Sequence, residues 1–323
     1  MKNIMPIKKR FASVIIILSV IVLTGGCKKD KNNVDDSDIP SVDNAVFSGV
    51  YTFTITNFND GWTSEVKEDW VEVSKGTMKV LLHYPKEGTV FPADPEPLIY
   101  AAWNILVAPR YSNIKNYIIA PTIPDWQRAY FASATLTELS TGTEVYVAFF
   151  RKGDSGWMEF VAPDKQTFID FFGIDINTIT WNSDYEIYDP LAVMAGYNKF
   201  AIAASDLPGK WSSDFASNTY YTNIYTGWSE GMSTYTSNIT FEFGAKKYNW
   251  SLVAANSTGG YTDVAQAKSS GTYSVKDNWQ IYCSDIEGKP STYNAYFSCI
   301  KGARLLWMQN SEYGSYDVFG RIE

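Results

Sequence analysis

Four acids crowd the stretch "EVKEDWVEV": Glu65, Glu68, Asp69 and Glu72, on either side of Trp70. Two carboxyls flanking a sugar bond are the machinery of glycoside hydrolysis, one as acid and the other as base or nucleophile. The same cluster reads equally well as a solvated face, because sequence does not fix the distance between carboxyls. Histidine chemistry rests on His83 in "VLLHYP". In a strand it shares a face with Leu81 and points away from Leu82, which suits a structural role. One histidine makes no zinc cluster. A Ser-His-Asp triad would depend on it entirely, and no G-x-S-x-G elbow accompanies it. The phosphate-loop pattern GxxxxGK[ST] is missing. "DINTITWNSDYE", Asp175–Glu186, has Asp first, Asn third and Glu last, as a calcium loop does. It has Ile179 at the fifth place and Thr180 at the sixth, where the loop needs Gly. These residues predict a chain with no catalytic site, metal or cofactor.

The cysteines offer different chemistry. Cys283 and Cys299 flank "SDIEGKPSTYNAYFS". The strands "WQIYCSD" and "YNAYFSC", turning near Gly288–Thr292, can pair in a register that sets the two cysteines opposite each other. A non-hydrogen-bonded antiparallel pair lies at the short end of disulfide reach. Cys283 and Cys299 are therefore a candidate disulfide, with two buried thiols as the alternative.

The elements that must hold such residues divide the chain in two. Residues 45–205 mix strand and helix. "FSGVYTFTIT" and "TMKVLLHYP" are strand-like. In "EPLIYAAWNILVAPRY", Leu98, Ala101, Ala102, Ile105 and Leu106 fall on one helical face. Pro97 suits a first turn and Pro109 ends the run. "AYFASATLTEL", "TEVYVAFFRK" and "GWMEFVAP" follow as strands. "PDKQTFIDFFG" is a short helix with Phe168, Phe171 and Phe172 on one face and Gly173 as its stop. A further helix is expected through "LAVMAGYNKFAIAAS". This order predicts an α+β domain, an antiparallel sheet with helices on one face. Its stretch "DGWTSEVKEDWVEVSKGTMKVLLHYP" resembles uncharacterised bacterial proteins, which implies no activity.

Residues 206–323 read as about ten short strands separated by polar turns, with almost no helical period. That pattern predicts an all-β, up-and-down barrel. "DLPGKWSS" is similar to the G-x-W opening of the lipocalin superfamily, carried by Gly209 and Trp211. The resemblance implies that Trp211 closes the barrel floor against a late arginine, Arg321 in "FGRI" or Arg304. "TDV" at Thr262–Val264 matches the family's second motif, T-D-Y, only in part. "GTYSVKDNWQIYCSDIEG" also looks like the lipocalin-like domains of bacterial lipoproteins. In such a barrel Trp228, Trp250, Tyr273, Trp279 and Trp307 are candidate cavity or rim residues, and core packing is the competing reading.

The chain start supplies an address. "MKNIMPIKKRF" carries four basic residues and no acid, and Phe11–Leu23 is apolar. That run falls short of the roughly 20 residues of a membrane helix and suits a signal peptide. "LTGGC" resembles a bacterial lipobox, with Thr24 where the family usually has an apolar residue. The resemblance implies cleavage before Cys27 and lipid on it. Residues 1–26 are then a signal peptide and 27–44, polar and charged, a disordered tether. Removing residues 1–26 leaves 23 basic and 35 acidic residues, a net charge of −12. So acidic a body suits no nucleic acid. The sequence therefore predicts a lipoprotein of the bacterial cell envelope, held to the outer membrane bilayer through acylated Cys27. Its expected role is to bind a small apolar ligand. A surface carbohydrate-binding or adhesion module is the alternative, since aromatics form 16% of the chain, and a carboxylate-dependent glycan hydrolase is the second.

Overall fold

The computed structural model describes residues 51–86, 88–124, 128–153, 155–213, 235–258 and 261–322. Residues 37–323 make one compact unit. The leader, Cys27, the tether and Trp228 lie outside the described residues.

The first half is an eight-stranded antiparallel sheet. Its strands are β1 (Ile55–Asn57), β2 (Thr63–Val66), β3 (Trp70–Lys75), β4 (Met78–His83), β5 (Tyr111–Ile123), β6 (Ala129–Glu138), β7 (Glu144–Lys152) and β8 (Met158–Ala162). They lie in the order β1-β2-β3-β4-β8-β7-β6-β5. Two meanders thus meet where β4 pairs β8, with Leu81 opposite Glu159. Helix α1 (Pro95–Leu106) links the meanders. Leu98, Ile99, Ala102, Trp103 and Leu106 are its buried positions, so its inward face is turned one residue from the predicted one and leaves Ile105 36% exposed. They pack on one side of the sheet, with Leu81, Phe149 and Val161. Helix α2 (Lys165–Phe172) packs Phe168 and Phe172 on the other side, with Val80, Phe150 and Phe160. Its ends follow local rules. The Asp164 side chain accepts the Thr167 backbone N–H at 2.8 Å, and Gly173 takes φ +70° past the last turn. The helices therefore cover opposite faces of the sheet, not a single one.

The second half is a closed barrel. Strands β9 (Gly209–Ser212), β10 (Tyr235–Phe243), β11 (Lys247–Thr258), β12 (Tyr261–Lys276), β13 (Gln280–Ile286), β14 (Lys289–Ile300), β15 (Ala303–Asn310) and β16 (Asp317–Arg321) run up and down. Pairing of β16 with β9 closes the ring. Closure removes both sheet edges. β12 is long because it has two partners in succession. It pairs β11 over Tyr261–Thr272 and β13 over Tyr273–Lys276. Gly271 sits at the changeover, where a Cβ would collide with the Ser284 hydroxyl and press on the Tyr248 ring.

The predicted helix through "LAVMAGYNKFAIAAS" is corrected. Only α3 (Asp189–Ala192) and 3₁₀ turns over Val193–Tyr197 and Ala204–Asp206 form there. The chain between these turns is extended because the barrel claims its backbone. Phe200 and Phe297 exchange both N–H···O bonds, at 2.8 and 2.9 Å, and the Ile202 N–H bonds Asn278 O at 2.8 Å. The Asn198 amide likewise clasps the Cys299 backbone at 2.9 and 2.7 Å. Beside them Arg304 donates to Phe53 O at 2.7 Å. A single apolar core consequently runs from Val71 and Phe150 in the sheet to Phe297 and Leu306 in the barrel.

Candidate functional site

The barrel has a plugged end and an open end. At the plugged end Trp211 is fully buried and its indole N–H donates to Leu207 O at 2.8 Å. The Arg321 guanidinium lies 5.0 Å from the centre of the Trp211 ring, and it donates to the carbonyls of Asp206, at 3.1 Å, and Pro208. Gly209 passes directly beneath it at φ +128°, where a Cβ would stand 3.1 Å from Arg321 Nε. Two arginines, Arg321 and Arg304, were candidates for this floor. The structure puts Arg321 on Trp211 and places Arg304 against Tyr51, Phe200 and Phe297.

Above the floor, inward side chains fill the ring. Phe241 and Phe243 lie parallel at 5.4 Å, and Phe243 meets Tyr273 edge-on at 4.9 Å. The Tyr273 hydroxyl is spent on Gly244 O at 2.8 Å. Filling stops one layer higher. A cavity of about 700 Å³ opens there between the β13–β14 and β15–β16 turns. Ile239, Phe241, Trp250, Tyr293, Met308 and Phe319 form its apolar wall. Glu287, Lys289, Asn310, Glu312 and Asp317 stand around it, with Tyr313. Pockets of this size take drug-sized molecules, and eight-stranded barrels can hold one small ligand.

The five aromatics singled out from sequence separate by level and by face. Trp250 lines the cavity. Tyr273 points inward but lies in the filled layer, so it packs. Trp279 is 39% exposed just past the end of β12, where its backbone N–H donates to Lys276 O at 3.1 Å. Trp307 alternates with the inward Leu306 and Met308 and so points out, stacked 6° from parallel on Tyr296 at 5.7 Å. Tyr316 closes edge-on to Tyr296. The cavity assignments of Tyr273, Trp279 and Trp307 are therefore corrected; Trp228 lies outside the described residues.

The candidate disulfide is corrected too. In the β13–β14 register Cys283 faces Ser291, while Cys299 faces Arg304 on β15. A hairpin turn at Glu287–Gly288, tighter than the one predicted, shifts the pairing by eight residues. Both cysteines are buried free thiols. Burial pushes each thiol up to about 12, against the opposing hydrogen bond of Tyr248 at Cys283 and the Arg304 charge at Cys299.

In the sheet, one polar cluster comes together that the sequence did not announce. Glu159, fully buried on β8, accepts His83 Nε2–H at 3.0 Å, the Tyr111 hydroxyl at 2.7 Å and the Arg110 guanidinium. Arg110 also lies 4.8 Å from the centre of the Trp70 ring. Burial alone would raise the Glu159 carboxyl. The bond from His83, the charge of Arg110 and the Tyr111 hydroxyl outweigh it and hold the group below the usual carboxylate range. A buried carboxylate saturated by three donors is a structural lock. Its one sequence signal was an acid inside the apolar run "WMEFVA".

The structure brings two of the four acids of "EVKEDWVEV" together and ties two to lysines. Glu65 faces Glu72 across β2 and β3 and pairs with Lys67 at 2.6 Å. Asp69 reaches Lys301 at 2.7 Å, on the turn between β14 and β15. In "DINTITWNSDYE", Asp175 caps a 3₁₀ turn through the Asn177 N–H and pairs with Lys165 at 2.9 Å.

No known protein family, no curated protein and no solved structure matches the chain. What the fold defines is a closed, eight-stranded antiparallel barrel with one plugged end and one cavity-bearing end, fused to an antiparallel sheet through a shared core.

Proposed function

We propose that this chain is a lipid-anchored lipoprotein of the bacterial envelope whose barrel binds a small, largely apolar ligand and catalyses nothing. The 700 Å³ cavity above a sealed aromatic floor carries the binding reading. A barrel meant only for stability would continue its packing to the rim, because each buried Phe or Leu contributes roughly 1.5–3 kcal/mol. Here packing ends below the rim, where half-buried Ile239 and Tyr293 line the open space. The anchor rests on "LTGGC" and the basic leader, and the outer membrane is its proposed site. Acylation of Cys27 would tie the protein to the bilayer, with more than one chain needed for stable anchoring.

The aromatics Tyr296, Trp307 and Tyr316 on the outer wall occupy one another's faces, and this favours the cavity over a displayed sugar platform. Organic extraction of purified protein followed by mass spectrometry tests the reading. A stoichiometric apolar compound is expected, reduced at least several-fold by Trp250→Arg, which places a charge in the cavity wall. An empty extract together with retention on a polysaccharide gel would replace it with glycan binding. Labelled fatty acid fed to cells should enter the wild-type protein and not Cys27→Ala.

A further inference from the structure

Two independent features of the cavity select the charge of what enters it. Among the described residues that line it, the carboxylates are Glu287, Glu312 and Asp317 and the only cation is Lys289. The mouth is thus acidic by two charges. Each group is exposed and would be screened singly, but a concave low-dielectric wall focuses the field of several like charges into the space it encloses.

The second feature is the aromatic lining. Tyr293 stands in the wall with Phe241, 5.9 Å away and edge-on. Tyr313, on the loop between β15 and β16, is 71% exposed and lies close enough to act electrostatically on Tyr293, whose hydroxyl burial chiefly raises. Aromatic faces attract cations and repel anions, an effect that grows with desolvation. Among the described residues no arginine contributes to the lining, so a carboxylate or phosphate head would find one lysine and three acids there.

We infer that the cavity takes a cationic amphiphile, an apolar or aromatic body with an amine or quaternary ammonium head, in preference to a fatty-acid anion. The body occupies the space between Ile239, Trp250, Met308 and Phe319. The head sits at the rim, between the Tyr293 and Tyr313 rings and the carboxylates of Glu287 and Glu312. This rests on the cavity being the ligand site and adds to that reading the sign of the ligand's charge.

Calorimetric titration of residues 37–323, the compact unit that holds the whole shared core, with three probes of one chain length separates the two. The probes are octyltrimethylammonium, 1-octanol and octanoate at pH 7.5. The expected result is binding of the cation at least ten-fold tighter than octanoate at low salt, with octanol between them and the gap narrowing at 0.5 M NaCl. Glu287→Gln with Glu312→Gln should cut that ratio at least three-fold and leave octanol unchanged, which also shows that the variant is folded. Octanoate binding as tightly as the cation, or tighter, overturns the charge preference and leaves the cavity reading standing. Failure of all three probes to bind overturns the cavity reading itself.

Discussion

The sheet and the barrel bury similar side chains under opposite geometric constraints. An open sheet has two faces, and here both are covered, one by α1 and the other by α2 and the shared core. The one fully buried acid among the described residues, Glu159, is saturated by His83, Arg110 and Tyr111. The barrel has a single inward face and must fill a cylinder from its own strands. It does so below Phe241 and leaves about 700 Å³ above. The cavity proposed to bind a ligand lies where filling stops, and the sheet joins the barrel through the shared core.

Trp211→Ala should break this arrangement most severely. It empties a fully buried site and removes the surface on which Arg321 rests. A loss of about 3–5 kcal/mol is expected, read by guanidinium unfolding. Because one core spans both halves, near-UV and far-UV signals should move together; a barrel that melts alone would separate the two regions. Next comes Glu159→Gln, at about 3 kcal/mol, since it strips Arg110 of its partner charge in a site that admits little water. The pH dependence follows from the sign of the shift. Glu159 sits below its ordinary range when folded, so its stabilisation is complete above the unfolded carboxyl value, near 4.5. It is lost as pH falls through the lower folded value. Wild type should therefore show an acid limb that is shallower in the Gln variant.

The thiols give a smaller effect of opposite sign. Their folded values are pushed up to about 12 from 9.0. The unfolded chain ionises first, and stability present below pH 9 declines as pH climbs toward 12. At pH 8 Ellman's reagent should label neither Cys283 nor Cys299 until denaturant is added; rapid labelling of the folded chain would refute their burial. Trp307→Ala should matter least. Loss of its outer-wall stack on Tyr296 costs about 1 kcal/mol and should leave ligand content unchanged. A drop in bound ligand would return Trp307 to the cavity.

Some of this was legible in the chain. "NITFEF" alternates and marks Ile239, Phe241 and Phe243 as one face, whereas the apolar run "LLWM" has no alternation to set Trp307 apart from Leu306 and Met308. Reading aromatic type without that parity put Trp307 inside. Level along the barrel was not legible. Tyr273 and Trp250 both face inward, yet one packs and the other lines open space. Nor was the cysteine register, because it depends on whether the hairpin turns at Glu287–Gly288 or a few residues later, and both turns contain Gly288.

By itself the sequence determined most element types, the change from mixed to all-β structure near residue 206, and the placing of Gly209 and Trp211 at the barrel floor. These are set by short-range periodicity and by residues with strong individual preferences. Tertiary structure alone decided that both faces of the sheet are covered, that Glu159 gathers His83, Arg110 and Tyr111 from separate segments, and that the barrel's packing ends below its rim. Each of these depends on which distant strands become neighbours and at what register. A period of two fixes which way a side chain points, but the pairing of strands far apart in the chain fixes what it meets.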